Sequence, residues 1–168
     1  MKYLTSLFLV LIIACGPPES KDTTGFANCK YGTPKAIFSK ATPLVSSHKF
    51  EAGSHAATET VFFDADIKLE LTQSGCEKPR QIFEFTIPGN SKQYSAENWV
   101  DMALTQLTFI GNLEESLQPL LFWSAALKKQ KEAIKLGAPT ALEQGFFAKI
   151  DKVAGERNGI LIIELYHN

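Results

Sequence analysis

The chain of 168 residues is expected to fold as α+β, an antiparallel sheet built from an N-terminal meander and a C-terminal hairpin with a helix pair packed on one face. Three observations lead there. Apolar residues recur at every second position through residues 58–72 and again through 82–87. From Ser95 to Ile134 the spacing becomes helical, and from Gly145 to Tyr166 the period of two returns.

Taken in order, Lys35 to Ser39 (KAIFS) predicts a short strand. Residues 40–55 are polar and contain Pro43 and Gly53, so they read as a loop. Glu59, Val61 and Phe63 then alternate with Thr58, Thr60 and Phe62. After Asp64-Ala65-Asp66 the alternation resumes, with Ile67, Leu69 and Leu71 on one side and Lys68, Glu70 and Thr72 on the other. Gly75 and Pro79 punctuate a turn. Phe83, Phe85 and Ile87 alternate with Ile82, Glu84 and Thr86 until Pro88-Gly89-Asn90 ends the run.

Ser95 is placed to cap a first helix, with Tyr94 before it and Trp99 after it as a hydrophobic staple. Trp99, Ala103, Leu107 and Ile110 form its apolar stripe, and Gly111-Asn112 breaks it. Ser116 is placed to cap a second helix with Pro119 in its first turn. Its stripe is Leu117, Leu120, Leu121, Ser124, Leu127 and Ile134, stopped by Gly137 and Pro139. Residues 145–153 and 159–166 predict two strands joined by the turn Ala154 to Asn158. Ile160 and Ile162 make the second of these apolar on both sides, which suits a strand inside the sheet.

Composition bounds the function. With 45% apolar and 21% charged residues the chain has the balance of a globular protein. Seventeen basic against eighteen acidic side chains give a net charge of −1, which argues against a nucleic-acid partner.

The strongest functional signal lies at the start. Met1-Lys2 is a short basic opening, Leu4 to Ala14 is nearly all apolar, and Cys15 follows a small residue. The apolar run is too short to span a bilayer and stands where a secretory signal belongs. The segment resembles a bacterial lipoprotein signal peptide with its lipobox, with Ile12 where leucine is usual. The resemblance covers residues 1–15 alone, and no family is recognised beyond it. It implies that residues 1–14 are a signal peptide removed before Cys15. Cys15 would then carry thioether-linked diacylglycerol and an amide-linked acyl chain, a durable membrane anchor. Gly16 stands where an aspartate often marks inner-membrane retention, so the outer membrane is favoured if the source is Gram-negative. Residues 15–34 read as a lipidated flexible tether, rich in Gly, Pro, Ser and Thr, and residues 35–168 as one globular domain.

With Cys15 acylated, Cys29 and Cys76 remain in an oxidising compartment, where a disulfide between them is expected. Closing such a loop contributes roughly 4 kcal/mol in a chain-entropy account. A reactive thiol at Cys76 is disfavoured by the neighbouring Glu77.

Other constellations have ordinary readings. Lys128, Lys129, Lys131 and Lys135 form a basic cluster that suits a solvated helix end as well as an acidic partner or lipid headgroups. His48, His55 and His167 read as exposed, and no spacing among them suggests zinc. Glu59, Asp64, Asp66 and Glu70 crowd one hairpin, where carboxylates cap turns more often than they catalyse. Neither a G-x-S-x-G elbow nor a phosphate loop occurs, so no catalytic residue, metal or cofactor is expected. Twelve phenylalanines include the adjacent pairs Phe62-Phe63 and Phe146-Phe147, and Phe122 stands beside Trp123. Neighbours on a strand point to opposite faces, so one ring of each strand pair must face outward unless the second face is covered.

The function expected is therefore a membrane-anchored envelope lipoprotein that binds another protein without catalysis, inhibitor- or immunity-like. Its partners would be the membrane, through the acyl chains, and an envelope or foreign protein. The alternative is a carrier holding a lipid or other apolar ligand between helices and sheet, with Trp99 and Trp123 in its lining.

Overall fold

A computed structural model describes Phe26, Cys29, Lys30 and residues 32–64 and 67–167. Residues 1–14, Cys15 and Asp66 lie outside the described residues. Four strands come first: β1 (Val45–Ala52), β2 (Ala56–Phe63), β3 (Lys68–Ser74) and β4 (Arg80–Pro88). The helices α1 (Ala96–Gly111) and α2 (Pro119–Lys129) follow, and β5 (Pro139–Ala141), β6 (Phe146–Val153) and β7 (Asn158–His167) close the chain. The strands form one antiparallel sheet in the order β1-β2-β3-β4-β7-β6-β5. α1 lies against β6 and β7, and α2 packs on α1. This is the α+β architecture that the change of period predicts, with β7 inside the sheet between β4 and β6.

Register explains the core. Val61, Leu69, Phe85 and Leu161 face one another across four neighbouring strands, as do Leu71, Phe83, Ile163 and Ile150. These rows meet Trp99, Leu107 and Ile110 of α1, all fully buried. Each such aliphatic or aromatic side chain contributes about 1.5–3 kcal/mol when removed from water. α1 starts as predicted: Asn98 N–H donates to Ser95 Oγ at 3.2 Å, and Ser95 N–H donates to Asn98 Oδ1 at 2.9 Å. The Tyr94 and Trp99 rings meet edge to face at 5.8 Å. Two glycines permit close approach: a Cβ at Gly111 would lie 2.7 Å from the Leu121 side chain, and one at Gly159 would lie 2.8 Å from the Trp99 ring.

The polar stretch read as a loop over residues 40–55 contains β1. Its alternation is hidden because the inward side carries His48, Phe50 and Ala52, only one of which is strongly apolar, while the outward side is polar. The strand predicted at Lys35–Ser39 is absent. Ile37 and Phe38 instead donate their backbone N–H groups to the Glu59 carboxylate, at 2.9 and 2.8 Å. The second helix begins at Pro119 after a 3₁₀ turn, not at a Ser116 cap; Ser116 Oγ donates to Glu114 Oε1 at 2.8 Å. It ends at Lys129, and Ile134 lies beyond it. Pro139, read as a stop, opens the short edge strand β5.

Cys29 and Cys76 lie at disulfide distance, 47 positions apart, with Cα atoms 4.6 Å apart. Phe26, inside the stretch read as tether, is 3% exposed, so the chain already packs against the domain there.

Candidate docking surfaces

The ionisable groups singled out by sequence are separated by the fold. Glu59 shares the buried side of β2 with Val61 and Phe63, and is fully buried. Besides the two backbone donors it accepts a hydrogen bond from His48 Nε2 at 2.6 Å. His48 is therefore not a solvent histidine; its side chain is 14% exposed. Glu59 thus ties the chain before β1 onto the sheet. Asp64 sits in the turn after β2, and Glu70 pairs with Lys68 at 2.7 Å on the opposite side of the sheet. His55 bonds Ser54, and His167 packs edge to face on Phe146 at 5.0 Å. Among the described residues no group of three or more His, Cys, Asp or Glu side chains is placed to hold a metal ion.

The lysine cluster is also divided. Lys128 and Lys129 end α2, where they complement the helix dipole. Lys131 lies in the next 3₁₀ turn and reaches back to α1, 2.7 Å from Asp101 and 3.2 Å from Glu97. The hydrogen bond that Lys131 Nζ donates to Asp101, followed by the one it donates to Glu97, raises the Lys131 pKa above its ordinary 10.5.

The paired aromatics resolve into two surfaces. On β2, Phe63 points inward and meets Phe38 and Phe109 edge to face, while Phe62 points outward and is 43% exposed. The face of the sheet opposite the helices is open: every outward residue of β2, β3, β4, β6 and β7 keeps contact with solvent. On this face Ile160 and Ile162 of β7 follow one another, Val153 of β6 stands opposite Ile160, and Ile82 of β4 is diagonal to Ile162, giving an apolar patch around Glu84. Phe147 stacks on Tyr166 beside it, with ring centres 5.5 Å apart. Charged neighbours are paired, Glu70 with Lys68, Glu164 with Arg80 at 2.8 Å and Asp151 with Lys149 at 3.6 Å. Glu84 is the exception. It stands between Glu70 and Ile162 in the register and makes no ion pair among the described residues.

The second surface is a groove of about 420 Å³ on the helix side, between α2 and the turn that joins β5 to β6. Its floor is Trp123, Ala126, Leu142 and Phe146. Trp123 and Phe146 meet edge to face at 5.3 Å. Phe122, at 76% exposure, stands on the α2 wall. Lys129 lies on the same wall and Glu143 on the other; neither is ion-paired among the described residues.

The aromatic residues of both surfaces are legible in the sequence, but their grouping is not. Phe122 could be noticed as an apolar residue off the inward stripe of α2. That residues 142–146 would close a groove beside it depends on β5, which the sequence signal missed. Glu84 was legible as outward-facing, but its lack of a counter-ion is a property of three neighbouring strands. Trp99 and Trp123, paired as one possible lining, are separated: Trp99 is in the core beneath Lys152, and Trp123 is at the groove.

Compared with known proteins, the chain matches no family model, no curated protein and no solved structure.

Proposed function

We propose that the chain is a lipid-anchored protein of the bacterial cell envelope whose domain is a non-enzymatic protein-binding module, inhibitor- or immunity-like. The partner docks on the open sheet face. The observation that carries this is Glu84, the one carboxylate of that face without an ion pair among the described residues, set against the apolar patch of Ile82, Ile160 and Ile162. Directly opposed like charges on neighbouring strands are destabilising, and Lys68 offsets the charge of Glu70 alone. A partner that presents a lysine or arginine within an apolar surround completes the face. It neutralises Glu84 and covers apolar area at the same time, the combination that produces hot spots. The carrier reading has less support, because the layer between helices and sheet is occupied by Trp99, Phe83, Phe85, Leu107 and Ile110, each at most 1% exposed. Envelope location rests on the resemblance of residues 1–15 to a lipoprotein signal.

The test is photo-cross-linking in the source cells, using the full chain with a photoreactive amino acid at Ile160. One discrete heavier adduct is expected, and Glu84→Lys abolishes it, since a reversed charge at the centre costs about 2 kcal/mol or more. No adduct at Ile160, or an adduct indifferent to Glu84→Lys, overturns the reading.

A further inference from the structure

The geometry points to a second copy of this chain as the occupant of the groove beside α2, in a two-fold symmetric homodimer. A two-fold contact requires a patch that complements itself, each residue meeting a different residue of the other copy. The groove meets that requirement in shape and in charge. Phe122 projects from one wall at 76% exposure, next to a floor of Trp123, Leu142 and Phe146 that can receive a ring. Across a two-fold axis through the groove mouth, Phe122 of each copy enters the floor of the other. The walls carry opposite charges, Lys129 on α2 and Glu143 on the turn, and neither has an ion-pair partner among the described residues. The same axis sets Lys129 of one copy against Glu143 of the other, twice. A single-signed surface such as an anionic membrane would satisfy Lys129 and repel Glu143. The other lysine near α2 that faces carboxylates, Lys131, is already engaged with Asp101 and Glu97.

The groove is on the helix side and the open sheet face is on the other side, so this dimer leaves both sheet faces free. The inference does not rest on the partner proposed for that face.

The experiment is sedimentation of the purified full-length chain in density-matched neutral detergent, up to about 1 mM, where even weak specific contacts register. Reversible dimerisation is expected. Lys129→Glu alone and Glu143→Lys alone each weaken it about tenfold or more, because each sets like charges face to face in both contacts. Mixing the two single variants restores association, since every contact in the mixed dimer again joins opposite charges. Phe122→Ala weakens the dimer without changing charge. Far-ultraviolet circular dichroism confirms that each variant is folded; the substituted side chains are exposed. A chain that stays monomeric throughout, a dimer unmoved by the single reversals, or a mixture no stronger than its components overturns the inference. Monomeric chain that adheres to anionic vesicles through Lys129 overturns it too, and assigns the groove to a lipid surface.

Discussion

Glu59 shows how one side chain can hold a segment that has no regular structure. It is fully buried, and its two oxygens serve three donors: the N–H groups of Ile37 and Phe38 and the ring of His48. A buried carboxylate is costly unless it is hydrogen-bonded, and here each oxygen has at least one donor. Glu59→Ala removes the acceptor from two backbone donors, one of them on the buried Phe38. A loss of about 3 kcal/mol is expected in the unfolding free energy measured with urea. His48→Gln, which leaves both backbone bonds in place, is expected to cost less than half of that. Equal losses would place the stabilisation in the imidazole contact instead. The period of two puts Glu59 beside Val61 and Phe63, so its inward direction was legible. Its partners were not, because Ile37 and Phe38 precede it by 22 and 21 positions with no periodic signal of their own.

At the scale of elements, legibility followed the number of apolar residues on one side. β2, β3, β4 and β7 bury rows that are mainly apolar, broken in β2 by Glu59, and are legible directly. β1 and β5 are the edges of the sheet. An edge strand needs less apolar surface and gains from polar side chains that discourage further pairing, so its alternation is faint. The end of α2 differs from the predicted one because Ile134 continues the helical spacing while the chain turns at Gln130 and Lys131. Lys131 gives that turn its purpose, bonding Asp101 and Glu97 of α1 and so fixing the connection against the first helix. Its folded pKa is raised above 10.5, so its contribution is complete below that value and is lost as pH rises through the raised one. The difference in unfolding midpoint between the natural chain and Lys131→Met is therefore expected to be constant from neutral pH to about pH 10.5 and to shrink above it. A difference that grows with alkaline pH contradicts this assignment. Lys131 is half-buried and its carboxylate partners are exposed, so solvent screens the pair and the effect is small.

For the whole molecule, one layer of helices on one side of a seven-stranded sheet leaves a broad surface with no element of the described chain upon it. The disulfide-distance pair Cys29 and Cys76 fastens the incoming chain to the turn between β3 and β4, near the start of the domain. Phe26 is buried eleven positions after Cys15, so a chain acylated there would keep its domain within about 40 Å of the bilayer. Dimerisation through the groove would be favoured further by confinement to a surface, where linked partners meet at a high effective concentration.

The account depends above all on attachment of the chain to a bilayer through Cys15, and the direct measurement is metabolic labelling of cells with a palmitate analogue. The natural chain should take up the label and fractionate with membranes, while Cys15→Ala should be unlabelled and leave them. Equal labelling of the two, or a natural chain that carries no label, would contradict the account.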